Sequence, residues 1–396
     1  MNILFHFVSL PHLDNDSSIF NSLIHEFKRN GHDVKVVTKD KTGESTRLVS
    51  ENGIDVLRIN CPDFTGVSSN VKKALAYIEY TLKVVKCTKK YFKKEKFDLI
   101  FSHSLPPELG FAVKKLKKYY GCLFYLEVPD FTWEDAVAFG YYSKNGLIGL
   151  YYRFWEKQMF KQADYIGIPT KGNISFIKKM YPWISDGKFE VFPFWQKPIE
   201  LAQTESIKSK LGLDNKFVVI YGGSVGAAQR VDHMIELAET CRDKSDIVFL
   251  ILGKGAYLDT LKQIVSDKGL ENVIFYSFLP QKEYLSLLSS CDVGMIILNE
   301  KLGSPNFPSK TMSYMNLKVP ILAAVDYVTD YGEYLDENRA GLWAYSDDVQ
   351  MLKTQLLKYY ESNELRKEII NNAYSLYCRT MTPEYAYKII MKQINK

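Results

Sequence analysis

Short β-branched and aromatic runs alternate with helical patterns along almost the whole chain, and this alternation constrains the fold more than any other feature. Asn2 to Phe7 reads as a strand, Ser17 to Asn30 as a helix closed by Gly31, and Asp33 to Thr38 as the next strand. Further strands are expected at Ile54 to Ile59, Phe97 to Ser102, Cys122 to Glu127, Ala163 to Ile168 and Lys188 to Phe192, with a Lys-rich helix from Asn70 to Lys94 among them. Strands separated by helices cannot pair as hairpins. The pattern therefore predicts an α/β fold, a mostly parallel sheet covered by helices on both faces.

Periodicity lapses between Phe192 and Asn215, where Pro193 and Pro198 interrupt the chain, and a second series then begins. Its strands are read at Phe217 to Tyr221, Ile247 to Leu252, Asn272 to Tyr276, Val293 to Leu298 and Val319 to Ala323, the first four each followed by a helical pattern. Two helical patterns close the chain, Asp347 to Cys378 and Pro383 to Ile394. A chain of 396 residues is too long for one ordinary core and suits two domains. Residues 1–195 are expected to form an N-terminal domain and 196–378 a C-terminal one, with the helix in 379–396 packing back on the first. Two doubly wound domains that face each other form a ligand cleft at the carboxyl ends of their strands.

Hydrophobic residues make up 46% and charged residues 24%, the balance of a globular chain. The start has no basic, apolar and small-residue pattern of a secretory signal, and no uncharged apolar run approaches the ~20 residues that span a bilayer. A cytoplasmic protein, soluble or held at the inner membrane surface, is expected. The six cysteines have no C-x-x-C spacing, so neither a zinc site nor a disulfide framework is expected. The net charge of +5 is unevenly placed: Val71 to Tyr120 carries thirteen lysines against four acids. That stretch is either a solvated helix face or a surface attracted to anionic lipid or a phosphate-bearing acceptor. Arginine is scarce there and no nucleic-acid-binding motif accompanies it, so no nucleic-acid partner is expected. Phe139 to Phe160 mixes aromatic and aliphatic residues with lysines, as a buried helix or a membrane-interface anchor would.

Four stretches at strand carboxyl ends of the second series carry chemistry. Pro308-Ser309-Lys310 precedes a helix, where first-turn amides and a lysine cation suit a diphosphate. Taken alone, it is ordinary helix capping. Gly222-Gly223-Ser224-Val225-Gly226 leads to Arg230, a glycine-rich turn that lets backbone approach an anion while arginine adds bidentate charge. Gly253-Lys254-Gly255 and Phe278-Leu279-Pro280 follow the next two strands.

At these residues the chain resembles the retaining glycosyltransferases of family 4, which have the GT-B fold, and most of all the WbuB-type transferases of O-antigen and capsular polysaccharide synthesis. The similarity extends in order through Gly31-His32-Asp33-Val34, Phe97-Asp98-Leu99-Ile100, Glu127-Val128-Pro129-Asp130-Phe131-Thr132-Trp133-Glu134, Ala163-Asp164-Tyr165-Ile166, the glycine-rich turns, Cys291-Asp292-Val293-Gly294 and the Pro308-Ser309-Lys310 helix start. The departures are specific. Pro305 and Ser313 stand where the family's E-x7-E pattern would place carboxylates, Ser224 and Gln229 where it has basic residues, and Ser9 to Asp14 where a diglycine is common.

The resemblance implies transfer of a sugar from a nucleotide-sugar donor, UDP-linked, to a polyprenyl-diphosphate-linked or other glycan acceptor, with no metal cofactor. It implies a donor site of Gly223, Ser224, Gly253, Lys254, Phe278, Leu279, Pro308, Ser309 and Ser313, with Arg230 and Lys310 as its cations. In the N-terminal domain it points to His103 as a contact to the donor sugar, although a lone histidine is as often a packed one. Asp130 and Glu134 could orient the acceptor or act as a base, or shape a turn around Phe131 and Trp133. Ser9 and His12 are further acceptor candidates. Asp14 and Asp16 are read as loop and helix cap, not as a metal pair. A nucleotide-sugar epimerase or hydrolase, and a binding protein without turnover, remain as alternatives on the same architecture.

Overall fold

A computed structural model of the chain describes every residue except 16–17, 41, 62–68, 202–206, 227–228, 277 and 396. It divides into two compact units. The first comprises residues 1–133, 140–197 and 383–396, and the second 134–139 and 198–382. The boundaries therefore fall two to four residues beyond 195 and 378, because the last long helix runs on to Thr380 and the proline at 383 opens a new one.

The first unit runs β1 (Asn2–Phe7), α1 (Ile19–Arg29), β2 (Asp33–Lys39), β3 (Arg47–Glu51), β4 (Ile54–Ile59), α2 (Asn70–Tyr91) and β5 (Leu99–His103). It continues with α3 (Leu109–Tyr120), β6 (Leu123–Glu127), α5 (Leu147–Gln162), β7 (Tyr165–Ile168), α6 (Lys171–Met180) and β8 (Phe189–Val191), while α4 (Thr132–Ala138), between β6 and α5, groups from Glu134 onward with the second unit. Its eight strands are ordered β3-β4-β2-β1-β5-β6-β7-β8 and are parallel except for β3 against β4. That hairpin turns on Asn52 and Gly53, both at positive φ (50° and 67°), the conformation Asn-Gly adopts at low cost. The helix after β1 starts later than the sequence pattern suggests: Ser18, not an aspartate, caps it by accepting from the Asn21 amide at 3.3 Å. Asp14 is occupied by His12 at 2.8 Å, and Asp16 lies outside the described residues.

Hydrophobic alternation buries both faces of this sheet. One face packs Leu4, Ile100, Phe124 and Ile166 under α2, α3 and α5, and the other packs Phe5, Phe7, Phe101 and Tyr125 under α1. The chain's last helix joins that second face, where Phe27 meets Tyr387 edge-on with ring centres 4.9 Å apart.

The second unit contains α7 (Ile207–Lys210), β9 (Phe217–Ser224), α8 (Asp232–Thr240), β10 (Ile247–Lys254), α9 (Leu258–Asp267), β11 (Val273–Tyr276) and α10 (Gln281–Ser289). There follow β12 (Val293–Ile297), α11 (Lys310–Asn316), β13 (Ile321–Val325), α12 (Tyr331–Asn338), β14 (Leu342–Tyr345), α13 (Val349–Glu361) and α14 (Asn363–Thr380). α15 (Pro383–Ile394) returns to the first unit. The sheet order is β11-β10-β9-β12-β13-β14, all parallel. Strand order reverses between β9 and β12, and such a reversal opens a crevice at the carboxyl ends of the strands. The single helix read from Asp347 to Cys378 is two, broken where Ser362 caps α14 by accepting from the Leu365 amide at 3.1 Å.

Candidate functional site

The glycine-rich stretches do not form loops after their strands. β9 continues through Gly222, Gly223 and Ser224, and β10 through Gly253 and Lys254, paired residue for residue. Their glycines are required by close packing. A Cβ on Gly253 would stand 1.9 Å from the Gly223 carbonyl oxygen, and one on Gly222 would stand 2.3 Å from the Tyr284 ring. Tyr284 thereby lies against the backbone of β9, and the extended strand ends, Phe278, Leu279 and Tyr284 line a cavity of about 440 Å³. At its mouth the exposed Phe278 ring carries the Lys254 ammonium 4.4 Å from its centre. An aromatic plane with a cation on it can stack a nucleobase.

Lys310 opens α11 with its Nζ 4.8 Å from the centre of the Tyr221 ring, and 3.0 Å from where a Gly223 Cβ would be. Burial lowers its pKa, and among the described residues it has no ion pair. A cation placed out of water without a counter-ion is poised for an anionic ligand. Lys310 also borders a second cavity of about 320 Å³, shared with Pro308, Ser309, Asn306, Gln229 and Asp135. α11 itself has only seven residues, and Ser309 is already helical (φ −62°, ψ −24°) with no side-chain cap bond. The expected contribution of a helix start is correspondingly small, and the lysine dominates. Ser313 lies one turn into this helix and is half-buried.

Arg230 differs from the sequence expectation. Its Nε bonds to Asp232 (3.0 Å) and a terminal nitrogen bonds to Glu300, which also receives His233 Nε2 at 3.2 Å. Its guanidinium is thus committed to two carboxylates, at a residue of positive φ (47°). Asp232, His233 and Glu236 bring ligand-type atoms within 4.8 Å of one another, but His233 Nδ1 is hydrogen-bonded to Glu236 at 2.9 Å and Asp232 is held by Arg230. These residues form one polar network.

Asp135 was not singled out by its sequence position beside Asp130 and Glu134. It accepts from Ser304 Oγ (2.7 Å) and Asn306 Nδ2 (3.2 Å); burial raises the pKa of Asp326, and the Asp135 charge adds to that rise. Glu134 begins the short stretch that groups with the second unit, and its carbonyl oxygen lies against Gly303.

The other sequence candidates lie in the first unit. His103 ends β5, accepts the Leu105 amide at Nδ1 (3.2 Å) and meets the Phe20 ring edge-on. Burial lowers its pKa, partly countered by Asp130. Beside it in register, Glu127 ends β6; its Oε2 is buried with no hydrogen-bond partner, and burial with the Asp130 charge pushes its pKa up to about 8. Glu127 was not predicted to be special, since a strand-terminal glutamate looks like any exposed one. Asp130 itself accepts from Thr132 Oγ1 at 2.8 Å. Ser9 is exposed; His12, also exposed, pairs with Asp14 and, at 3.6 Å, Glu51.

Two parallel-sheet units of this kind define the GT-B fold. In keeping with it, residues 18–175 match the glycosyl transferase 4-like domain and residues 203–376 match the domain of glycosyl transferases group 1. WcaI of Escherichia coli (strain K12), assigned as a colanic acid biosynthesis glycosyl transferase, is 20% identical over 230 residues, 56% of each chain. The chain thus spans little more than half the length of that relative. Sucrose-phosphate synthase of Thermosynechococcus elongatus superposes with a TM-score of 0.74 at 14% identity, covering 100% of this chain and 99% of that one. HepE of Anabaena, solved with UDP and glucose, superposes with a TM-score of 0.68 at 15% identity, covering 100% and 99%. The chain therefore carries a glycosyl transferase 4-like domain and a group 1 glycosyl transferase domain on a GT-B fold.

Proposed function

We propose that the protein moves a sugar, a hexose-type unit, from a UDP-linked donor to a polyprenyl-diphosphate-linked or other glycan acceptor during synthesis of a bacterial surface polysaccharide such as capsule or O-antigen. The observation that carries this reading is the half-buried Lys310, without an ion pair among the described residues, beside a cavity lined by paired glycines, with Phe278 and Lys254 at its mouth. The base stacks at Phe278 and Leu279, and the diphosphate lies along Gly223 and Ser224 against Lys310. The likeness to HepE, which was solved with UDP, supports a uridine nucleotide.

Breaking the anomeric C–O bond leaves charge on the β-phosphate, and a preorganised cation meets that charge without reorganisation. Transfer proceeds with retention: the departing phosphate oxygen takes the acceptor proton on the face from which it leaves, so no protein base is obligatory. His103 and Glu127, which end neighbouring strands of the first unit, and Asp130 in the loop after β6 are assigned to the sugar and acceptor. The leaving charge is met by Lys310 without a metal, and turnover is expected to persist in EDTA. The protein works in the cytoplasm, at the inner face of the membrane where a polyprenyl-linked acceptor is presented.

A second reading, nucleotide-sugar binding without turnover, is favoured by Pro305 and Ser313 in place of the two glutamates. A thermal-shift screen against UDP, GDP, ADP, CMP and their sugars, followed by release of UDP from the donor that binds, separates the two. Ligand that binds the folded state raises Tm. Stabilisation by UDP together with acceptor-dependent UDP release supports transfer. Stabilisation with no release under any acceptor supports the binding protein, and no shift with any nucleotide overturns both.

A further inference from the structure

α2, α3 and α5 lie side by side on one face of the first unit. α3 and α5 pack so closely that a Cβ on Gly110 would stand 2.7 Å from the Met159 backbone. Because β5, β6 and β7 are parallel and each helix runs back against its strand, all three start at the carboxyl edge of the sheet, where His103 and Glu127 end. Tyr142, just before α5, donates to Asn70 at the start of α2 (3.2 Å), so these two helix starts are neighbours.

The first half of α2, as far as Leu82, and the start of α5 expose large apolar side chains in the outward direction. On α2, Val71, Leu75 and Leu82 recur at helical spacing and are 70%, 60% and 53% exposed. On α5, Leu147, Leu150 and Phe154 are 87%, 56% and 56% exposed. Farther along, the same outward lines turn basic, with Lys86 on α2 and Lys157 and Lys161 on α5, while α3 between them presents Lys114, Lys115 and Lys118. The acid in the α2 line, Glu79, is paired with Lys83 at 2.8 Å, and α3 contains no acid. No helix among the described residues is long and apolar enough to cross a membrane.

We propose that this three-helix face docks on an anionic lipid bilayer. The apolar side chains at the helix starts enter the headgroup–acyl boundary, and the lysines behind them meet the lipid phosphates. A second copy of the chain fits less well, because a symmetric contact of this face with itself would set lysines against lysines. Nucleic acid fits poorly too, since the outward side chains among the lysines are mainly aliphatic and offer little to stack on. The orientation brings the carboxyl edge of the first sheet to the membrane surface. That end of the inference deepens the lipid-linked acceptor reading, whereas binding itself needs neither donor nor turnover.

The test is co-sedimentation of the full chain with vesicles of phosphatidylcholine, with and without phosphatidylglycerol. Binding is expected only to the anionic vesicles and should weaken as salt rises. The triple variant L147Q/L150Q/F154Q, at unchanged charge, should lose about tenfold or more in partitioning, and K114S/K115S/K118S about a hundredfold, each with a far-ultraviolet spectrum and Tm like the parent. Equal binding to neutral vesicles, or undiminished binding by both variants, overturns the proposal. So does a concentration-dependent dimer that the glutamine variant abolishes. Failure of sugar transfer with intact vesicle binding rejects the assigned activity and leaves the docking face standing.

Discussion

The Lys310 ammonium stands 4.8 Å from the centre of the Tyr221 ring and 3.0 Å from where a Cβ on Gly223 would be. The ring stabilises a cation modestly, and no carboxylate among the described residues neutralises it, so an arriving diphosphate would gain most of the charge. Lys310→Ala is expected to lower kcat/KM by ~10²–10³ while leaving Tm unchanged or higher, because a desolvated charge has been removed. Near-normal turnover with the fold intact would end its assignment. Tyr221→Phe keeps the ring and should retain most activity, while Tyr221→Leu should not.

Arg230 is expected to behave differently, as a structural group. Its partners Asp232 and Glu300 tie the turn before α8 to the loop after β12. Arg230→Ala should destabilise the chain by roughly 1–3 kcal/mol, below a fully buried pair because Arg230 and Glu300 are each about a fifth exposed. Glu300→Ala should cost a similar amount, and the double variant should fall short of the sum. Denaturant unfolding of the four proteins measures this. A fall in UDP affinity with unchanged stability would instead return Arg230 to the phosphate site.

The architecture was legible in the sequence because strand and helix periodicities differ and each buried strand is a continuous apolar run. Lys310, Phe278 and the glycines were legible as a set because they fall at successive strand ends. What the glycines do was not: close approach of β9 to β10, and of Tyr284 to β9, depends on pairing register, which no local pattern states. The carboxylate partner of Arg230 was not legible for a related reason, since Glu300 lies seventy residues away in sequence. Asp135 and Glu127 look like their acidic neighbours until burial and partners are known. The Asn52-Gly53 hairpin, by contrast, had a local signal, an Asn-Gly pair between two apolar runs.

Gly253→Ala tests the register argument. Its Cβ would stand 1.9 Å from the Gly223 oxygen, too close for any rotamer to relieve, so β9 and β10 must separate at their carboxyl ends. Stabilisation by UDP should disappear, with a loss of roughly 2–4 kcal/mol in stability. Gly31→Ala is a control for an unrelated glycine: its φ of 81° makes a side chain strained, but nothing lies within 4 Å and the nucleotide response should survive. Equal UDP responses in the two variants would show that the strand ends do not form the site.

Glu127 connects the first unit's carboxyl edge to pH. Its pKa, about 8 in the folded chain against an ordinary 4.5, means that the native state keeps a proton which the unfolded chain releases. Its stabilising contribution is therefore full below pH 4.5 and is lost progressively as pH rises toward 8. Glu127→Gln, neutral at every pH, should remove that part of the decline, so the variant's Tm should exceed the parent's increasingly between pH 5 and pH 8, by roughly 2–4 °C for each kcal/mol recovered. Parallel Tm curves would show that the carboxyl is already ionised in the native state. If Glu127 also touches the acceptor, the same variant should lower turnover and move the alkaline limb of the kcat/KM profile. A purely buried role would change the stability curve and leave that limb in place.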